Sequence, residues 1–457
     1  MSVNSDINAA LELIQVQLES ELEERHIPGF SAGVVHDQDL IWYQGYGVAN
    51  VEKNIPAHEN TVYRVASITK LFTATMLMQL RDAGKLSLDE PVAKYLPNFQ
   101  IESTFIDAKS PTFRQLVSHA SGLAREGLHS GWRDMEMPTI EELIQSLQGM
   151  QMILPTMKEP KYSNLGIAIL GYTLSKIAGK PYEDYIHENI LNPLNMTSSG
   201  FQRDRYSEQK YAISYYLPSL GEPFAPAPHW NENGFRPAGG MYSTVTDMAK
   251  FIALQFREGE MGGSQILGSS TLREMHNPVL INDNFTAGFG IGWGIRPVAG
   301  YKVIGHSGGL PGYTTNISLI PALKLGVLVF TNTGTAPVEI SEKILKTLIP
   351  VFEANQERKV LKPTPQELKS WKPYVGRYAL RSMDDGIEVK IVKGWLKIVP
   401  FDGNMEASIR LDAFDEHRFK MVGGASQGEL TTFEVNDEGK VTGMWMGRYP
   451  FDRIGDS

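Results

Sequence analysis

A serine and a lysine stand three residues apart, Ser67 and Lys70, at the start of an otherwise apolar run from Val62 to Leu80. Serine is a poor nucleophile at neutral pH and needs a base. On a helix, residues i and i+3 share a face, so Lys70 reaches Ser67. The positive end of the helix dipole favours a developing alkoxide. Burial lowers the pKa of a lysine, which suits it to work as a base or proton relay. Ser-x-x-Lys occurs a second time, at Ser207 and Lys210, but there the surrounding QRDRYSEQKYAI is polar and reads as a solvated surface turn.

Two more groups follow in chain order. Tyr162-Ser163-Asn164 is the single Tyr-x-Asn of the chain and precedes an apolar helical run. A tyrosine beside a lysine can serve as general base, and an amide can orient substrate. Taken by itself, the same triplet is a helix start with Ser163 or Asn164 as cap. His306-Ser307-Gly308 lies between strand-like segments, and its glycines let a substrate lie close to the backbone. The triplet recurs at His129-Ser130-Gly131, in the loop-like LHSGWRD. His119, beside Ser118 and Ser121, reads as a structural hydrogen-bonding residue at a helix end.

The elements that must hold these residues are legible from periodicity. Ile7, Leu11, Ile14, Leu18 and Leu22 make one amphipathic helical face. SAGVVHD and LIWYQGYGVAN flank Asp37-Gln38-Asp39 as a hairpin. Helices are expected over Ser67–Ala83, stopped by Gly84, and over Tyr162–Ala178, stopped by Gly179. YKVIGHSG, YTTNISLIP and KLGVLVFTN read as consecutive strands before the helical EISEKILKTLIPVFEANQ. The fold class expected is α+β: an α/β sandwich on an antiparallel sheet, with a small antiparallel β-barrel after it. The boundaries are residues 1–352 for the first domain, 353–372 for a charged, proline-bearing linker and 373–457 for the barrel. Trp371, Trp395 and Trp445 are expected in the core or an interface.

Composition narrows the function. A net charge of −9 speaks against nucleic-acid binding. With no cysteine among 457 residues, disulfides and thiolate chemistry are excluded. No apolar run of about 18 residues and no leader pattern is present, so a cytoplasmic protein without a membrane partner is expected. No HExxH, P-loop or strand-GxGxxG-helix occurs, so no metal, nucleotide or other cofactor is expected.

SxxK, then YxN, then HSG, in that order, resembles the serine β-lactamase and penicillin-binding-protein superfamily, and specifically the class C β-lactamase-like or CubicO-type serine hydrolases. LVSHASGL, GKPYEDYIHENILNPLNMTSSGF, PAGGMYSTVTDMAKF and GFGIGWG strengthen the likeness, which covers most of residues 20–350. The resemblance implies Ser67 as acylated nucleophile, Lys70 as its partner and Tyr162 as general base. It implies Asn164, Ser307 and Gly308 as substrate contacts. It implies the backbone N–H groups of Ser67 and Gly309 as the oxyanion hole, with His306 where lysine often stands. That histidine departs from antibiotic-hydrolysing relatives: weak, pH-dependent carboxylate recognition and little β-lactamase activity are expected. His306 is read instead as shaping amine or ester binding or assisting proton transfer. The barrel resembles the lipocalin-like barrel of two-domain CubicO-type peptidases, which implies a homo-oligomer.

The expectation is a peptidase on small peptides, with D-amino acids or a free amino terminus. A carboxylesterase of the same mechanism, or a slowly acylated penicillin-recognising protein, is the alternative. Gly305-His306-Ser307-Gly308-Gly309 also fits the G-x-S-x-G elbow of α/β-hydrolases, but Leu310-Pro311-Gly312-Tyr313 starts no helix after it.

Overall fold

Helix α1, Val3–Glu24, turns Leu11, Ile14 and Leu18 inward, as the three-and-four spacing requires. The computed structural model describes residues 3–97, 99–105, 110–128, 135–219, 222–259, 264–335, 337–359, 363–381 and 385–456. His129-Ser130-Gly131 falls outside the described residues. The chain divides into two compact units, Met1–Ala354 and Asn355–Ser457. No helix among the described residues is long and apolar enough to cross a membrane.

The first unit is built on a nine-stranded sheet. Strands β1, Gly29–His36, and β2, Asp39–Asn50, form the hairpin expected around Asp37. Strand β3 is Ile55–Pro56, β4 Leu280–Ile281, β5 Gly288–Phe289, β6 Gly294–Val298, β7 Tyr301–Leu310, β8 Tyr313–Ile320 and β9 Leu325–Thr331. Their order is β3-β2-β1-β9-β8-β7-β6-β5-β4, antiparallel throughout. Every residue of β9 is buried, which is why LGVLVFT carries no polar alternation.

Helices cover both faces. Thr69–Asp82 is α2, Asn164–Ala178 is α3, Val245–Leu254 is α4 and Pro337–Lys359 is α5. Phe30, Val34, Val327 and Val329 pack with Ile14 and Leu18 of α1 and Ile344 and Leu348 of α5. Leu328, Phe330, Ile317 and Ile304 pack in the larger core with Leu71 and Phe72 of α2 and Phe251 and Ile252 of α4. This is the expected α/β sandwich.

The ladder is interrupted along one side of β7. Strand β6 pairs with β7 from Gly294↔Gly305 to Val298↔Tyr301, and β8 pairs with β7 from Ile304 to Leu310. Residues 306–310 of β7 are therefore paired on one side and open on the other. The two-residue turn after Leu310 sets the alternation, so the backbone N–H groups of Ser307 and Gly309 face the open edge.

The second unit is a closed barrel of eight antiparallel strands: β10 Gly376–Leu380, β11 Gly386–Val392, β12 Trp395–Pro400, β13 Ile409–Ala413, β14 Arg418–Val422, β15 Leu430–Val435, β16 Val441–Met446 and β17 Tyr449–Gly455. Its interior is filled by Tyr378, Val389, Leu396, Leu411, Phe419, Phe433 and Met444. The proline-bearing connector is more ordered than a bare linker: α5 runs to Lys359, and α6, Pro365–Trp371, starts on a capping box between Thr364 and Glu367. Trp371 is buried edge-to-face against Phe419, as a core residue should be. Trp445 is instead 36% exposed, its indole N–H donating to Glu434, so the core expectation does not hold there.

Candidate active site

Ser67 is the single partly exposed residue in a buried run from Thr61 to Lys70. A 3-10 turn, Ala66–Ile68, brings it there before α2 begins. Ala66 has φ 48°, a left-handed conformation that costs a residue with a Cβ and is held by its surroundings. Those surroundings include β7: a Cβ on Gly308 would lie 2.3 Å from the Val65 carbonyl oxygen and 3.0 Å from Ala66 Cβ. Glycine at 308 is what lets the strand pass against the turn.

Lys70 is 1% exposed and donates to Ser67 Oγ at 2.9 Å and to the Ala238 carbonyl at 2.6 Å. Burial pulls its pKa down, opposed by Tyr162 and by the carboxylate of Glu126. Its ammonium lies 5.0 Å from the Tyr162 ring centre. The expected triplet is split by its fold: Tyr162 precedes the helix, Ser163 caps it with an oxygen that accepts from Gly166 N–H at 2.9 Å, and Asn164 opens α3. Because Ser163 takes the cap, Asn164 is free to face the cleft. The helix therefore starts two residues later than Tyr162.

His119 holds this segment. Its Nδ1 accepts from Ser163 N–H at 3.2 Å, its carbonyl accepts from Lys161 N–H at 2.8 Å, and its ring lies 4.3 Å from that of Tyr162. It works as a structural partner beneath Tyr162, as the helix-end reading expects.

His306 is buried beside the same tyrosine, ring centres 6.2 Å apart. Its Nδ1 donates to the Ser307 carbonyl at 2.6 Å, which leaves Nε2 as an acceptor without a partner. Burial, reinforced by Lys70, pushes its pKa down to about 3. The imidazole is thus neutral across the ordinary pH range, and the pH-dependent carboxylate recognition expected of it loses its titrating group. Ser307 sits on a strand that turns into a hairpin, so it has none of the strand-to-helix geometry of an α/β-hydrolase elbow.

Ser67, Tyr162, Asn164, His306, Ser307 and Gly309 all line one cleft of about 280 Å³. Beyond Tyr162, His306 and Ser307 a basin of about 320 Å³ continues towards Arg296 and Asn316. Lys70 lies beneath the cleft floor, and Gly308 packs behind it. The cleft also holds residues that no sequence signal marked: Arg125, Glu126, Trp230, Glu232 and Phe235. Glu232 is ion-paired with buried Arg64, which also donates to the Trp230 carbonyl at 2.7 Å and so fixes that wall. Between His119 and Glu126, Gly122 takes a left-handed φ of 72°, and a Cβ there would lie 2.0 Å from the Leu154 carbonyl oxygen. Among the described residues no group of three or more His, Asp or Glu side chains is placed to hold a metal ion.

The buried imidazoles carry a testable pH signature. His306 and His276 are pushed down to about 3, and His119 well below its usual value, each chiefly by burial. Each is neutral when folded and gains a proton only on unfolding, so stability is full above about pH 6.5 and is lost as pH falls towards 3. Each contributes a slope of about 1.4 kcal/mol per pH unit in that window. Glu126, raised by burial, opposes them as one group. Urea unfolding at pH 7 and pH 5 is expected to show a loss of several kcal/mol; equal stability at both would contradict the buried-neutral assignment.

The chain is similar to known proteins in sequence and fold. The beta-lactamase family profile matches residues 15–348. "Beta-lactamase-like protein 2" of Dictyostelium discoideum is 36% identical over 341 residues, covering 73% of this chain and 61% of that protein, so the chain spans less than two thirds of that relative's length. The octameric penicillin-binding protein homologue from Pyrococcus abyssi superposes with TM-score 0.65 at 25% identity, over 96% of this chain and 99% of the other. A class C beta lactamase from Rhodobacter sphaeroides gives TM-score 0.60 at 20% identity, over 74% of this chain and 98% of its own.

Proposed function

This chain belongs to the beta-lactamase family of serine hydrolases, and from that premise we propose that it cleaves small peptides through an acyl-enzyme on Ser67. The observation that carries the reading is Lys70 Nζ 2.9 Å from Ser67 Oγ in a buried setting that depresses its pKa and favours the neutral amine. A base at the nucleophile's oxygen is what serine lacks by itself. Tyr162, in contact with Lys70, takes the Ser67 proton as Oγ attacks the carbonyl carbon and passes its own phenolic proton to Lys70, whose lowered pKa makes the neutral amine available. The negative charge that develops on the carbonyl oxygen is met by the N–H groups of Ser67 and Gly309, donors of the kind that contribute several kcal/mol to such transition states. Tyr162 then returns the proton to the departing nitrogen, and water releases the acyl group by the same path reversed. The basin beyond Tyr162 leaves room for the departing residue.

His306 stays neutral throughout and offers Nε2 as an acceptor, which suits an amine or amide N–H better than a carboxylate. Weak β-lactamase activity is part of the same reading. The octameric state named for the Pyrococcus relative supports a homo-oligomer.

Intact mass after a fluorophosphonate probe, followed by peptide mapping, tests the reading. One adduct on Ser67 is the expected result and would justify screening peptides and esters. An adduct on Ser307, or none on folded protein, would remove the acyl-enzyme at Ser67.

A further inference from the structure

Two acceptors in the cleft have nothing to accept from. Asn164 Nδ2 donates to Glu126 Oε1 at 2.7 Å, and that bond orients both planar groups. Their remaining oxygens, Asn164 Oδ1 and Glu126 Oε2, are buried and have no hydrogen-bond partner. Both residues line the cleft that holds Ser67. A buried acceptor left without a donor costs about 1–3 kcal/mol, and more when it is charged. Two of them, on groups that one hydrogen bond holds together, call for one ligand carrying several N–H donors.

The charge of the site selects among such groups. Burial raises the pKa of Glu126, which records how poorly its carboxylate is solvated there. Of the cations around it, Arg125 is 64% exposed in its side chain and spreads over the Tyr162 ring, 5.5 Å from the ring centre. Lys70 is already engaged by Ser67 Oγ and the Ala238 carbonyl. Neither closes the gap at Glu126 Oε2. Arg125 Nε lies 3.7 Å from Glu126 Oε1, an ion pair at the solvent side that leaves Oε2 without a donor. A neutral amide N–H would satisfy one acceptor only, whereas a primary ammonium brings three donors and a positive charge.

We infer that Glu126 and Asn164 together bind the primary ammonium of the substrate's acyl part, so that the preferred substrate is an amino-terminal residue with its amine free. The α-nitrogen of such a residue lies two bonds, about 2.5 Å, from the carbonyl carbon that Ser67 attacks. A subsite for it must therefore adjoin the nucleophile, and Glu126 is near enough for Lys70 to feel its charge. Glu126 is then the specificity-determining group: it makes the cleft acceptor-rich where an amide-selective site needs donors and acceptors in balance. This inference rests on the acyl-enzyme reading of Ser67.

The test is protection of Ser67 from the fluorophosphonate probe by alaninamide and by N-acetylalaninamide, in both enantiomers. The free amine is expected to protect at a concentration roughly 30-fold lower than its acetylated counterpart, the range of a charge-assisted hydrogen bond. In Glu126→Gln that ratio is expected to fall towards one. The wild-type comparison needs no variant and stands even if Glu126→Gln folds poorly. Equal protection by the two ligands in wild type, protection by neither, or an unchanged ratio in Glu126→Gln would each overturn the ammonium site. Absence of any Ser67 adduct without ligand is a different failure: it removes the hydrolase reading on which the site depends.

Discussion

Lys70→Met is expected to slow acylation of Ser67 by about a thousand- to ten-thousand-fold while leaving the fold as stable at pH 7 as the wild type, or more so. The rate loss is that of removing the proton acceptor that lets Tyr162 act as base towards a serine nucleophile. Ser67→Ala is expected to abolish the adduct outright. The stability half of the prediction follows from burial. Lys70 is 1% exposed, with no carboxylate bonded to it, and methionine fills nearly the same volume without a charge to desolvate. Against that gain stands the Ala238 carbonyl, which loses its donor at a cost of about 1–3 kcal/mol. The sign with pH is fixed: the folded pKa of Lys70 lies below the unfolded one, so the unfolded chain binds the extra proton and wild-type stability rises with pH through that window. The advantage of methionine is therefore largest at neutral pH and shrinks as pH climbs towards about 10.4. Probe-labelling rates and melting temperatures at pH 7 and pH 9.5 check both halves. A variant that labels at the wild-type rate, or one that melts far lower at pH 7, would contradict the role or the energetics respectively.

The sheet and its two layers of helices are readable in the chain because they are local patterns. Ile14 and Leu18 lie where a 3.6-residue period puts them, and LGVLVFT announces a strand buried on both faces. The residues that converge on the cleft, Ser67, Tyr162, Asn164 and His306 among them, are readable for the same reason, being short spacings in a fixed order. What escapes is what only tertiary structure decides. Glu126 stands 38 residues from the Asn164 it bonds, and no period or spacing links them. The pKa of His306 depends on burial beside Lys70, so a residue expected to titrate near neutrality does not. The closing barrel strand, Tyr449–Gly455, contains a proline and two charged residues and carries no strand signal of its own. It is a strand because it pairs with both β10 and β16, and Phe451 alone of its centre points into the core. The two-residue shift at the start of α3 has a similar origin: choosing Ser163 as the cap is settled by His119 and the Ala124 carbonyl, both distant in sequence.

Gly308→Ala tests how tightly the strand must lie against the serine. The added methyl would stand 2.3 Å from the Val65 carbonyl oxygen and 2.3 Å from Thr315 Oγ1, which are hydrogen-bonded to each other at 3.0 Å. Val65 is backbone, so no side-chain rotation relieves the clash with it; β7 or the 66–68 turn has to move by several tenths of an ångström or more. Either motion separates the N–H of Gly309 from that of Ser67, the pair assigned to the oxyanion. Losing one such donor costs about a hundred- to a thousand-fold in rate, and small misplacements of reacting groups cost on the same scale. Overpacking of this kind destabilises by about 1–3 kcal/mol, little enough for the protein to remain folded. The expected result is a folded protein whose labelling rate falls by at least a hundred-fold, with the melting temperature lowered by a few degrees. Gly259→Ala is the matching control, since nothing lies within 4 Å of the methyl it would add. Normal labelling of Gly308→Ala would show that the strand need not touch the turn, and would remove Gly309 from the oxyanion hole.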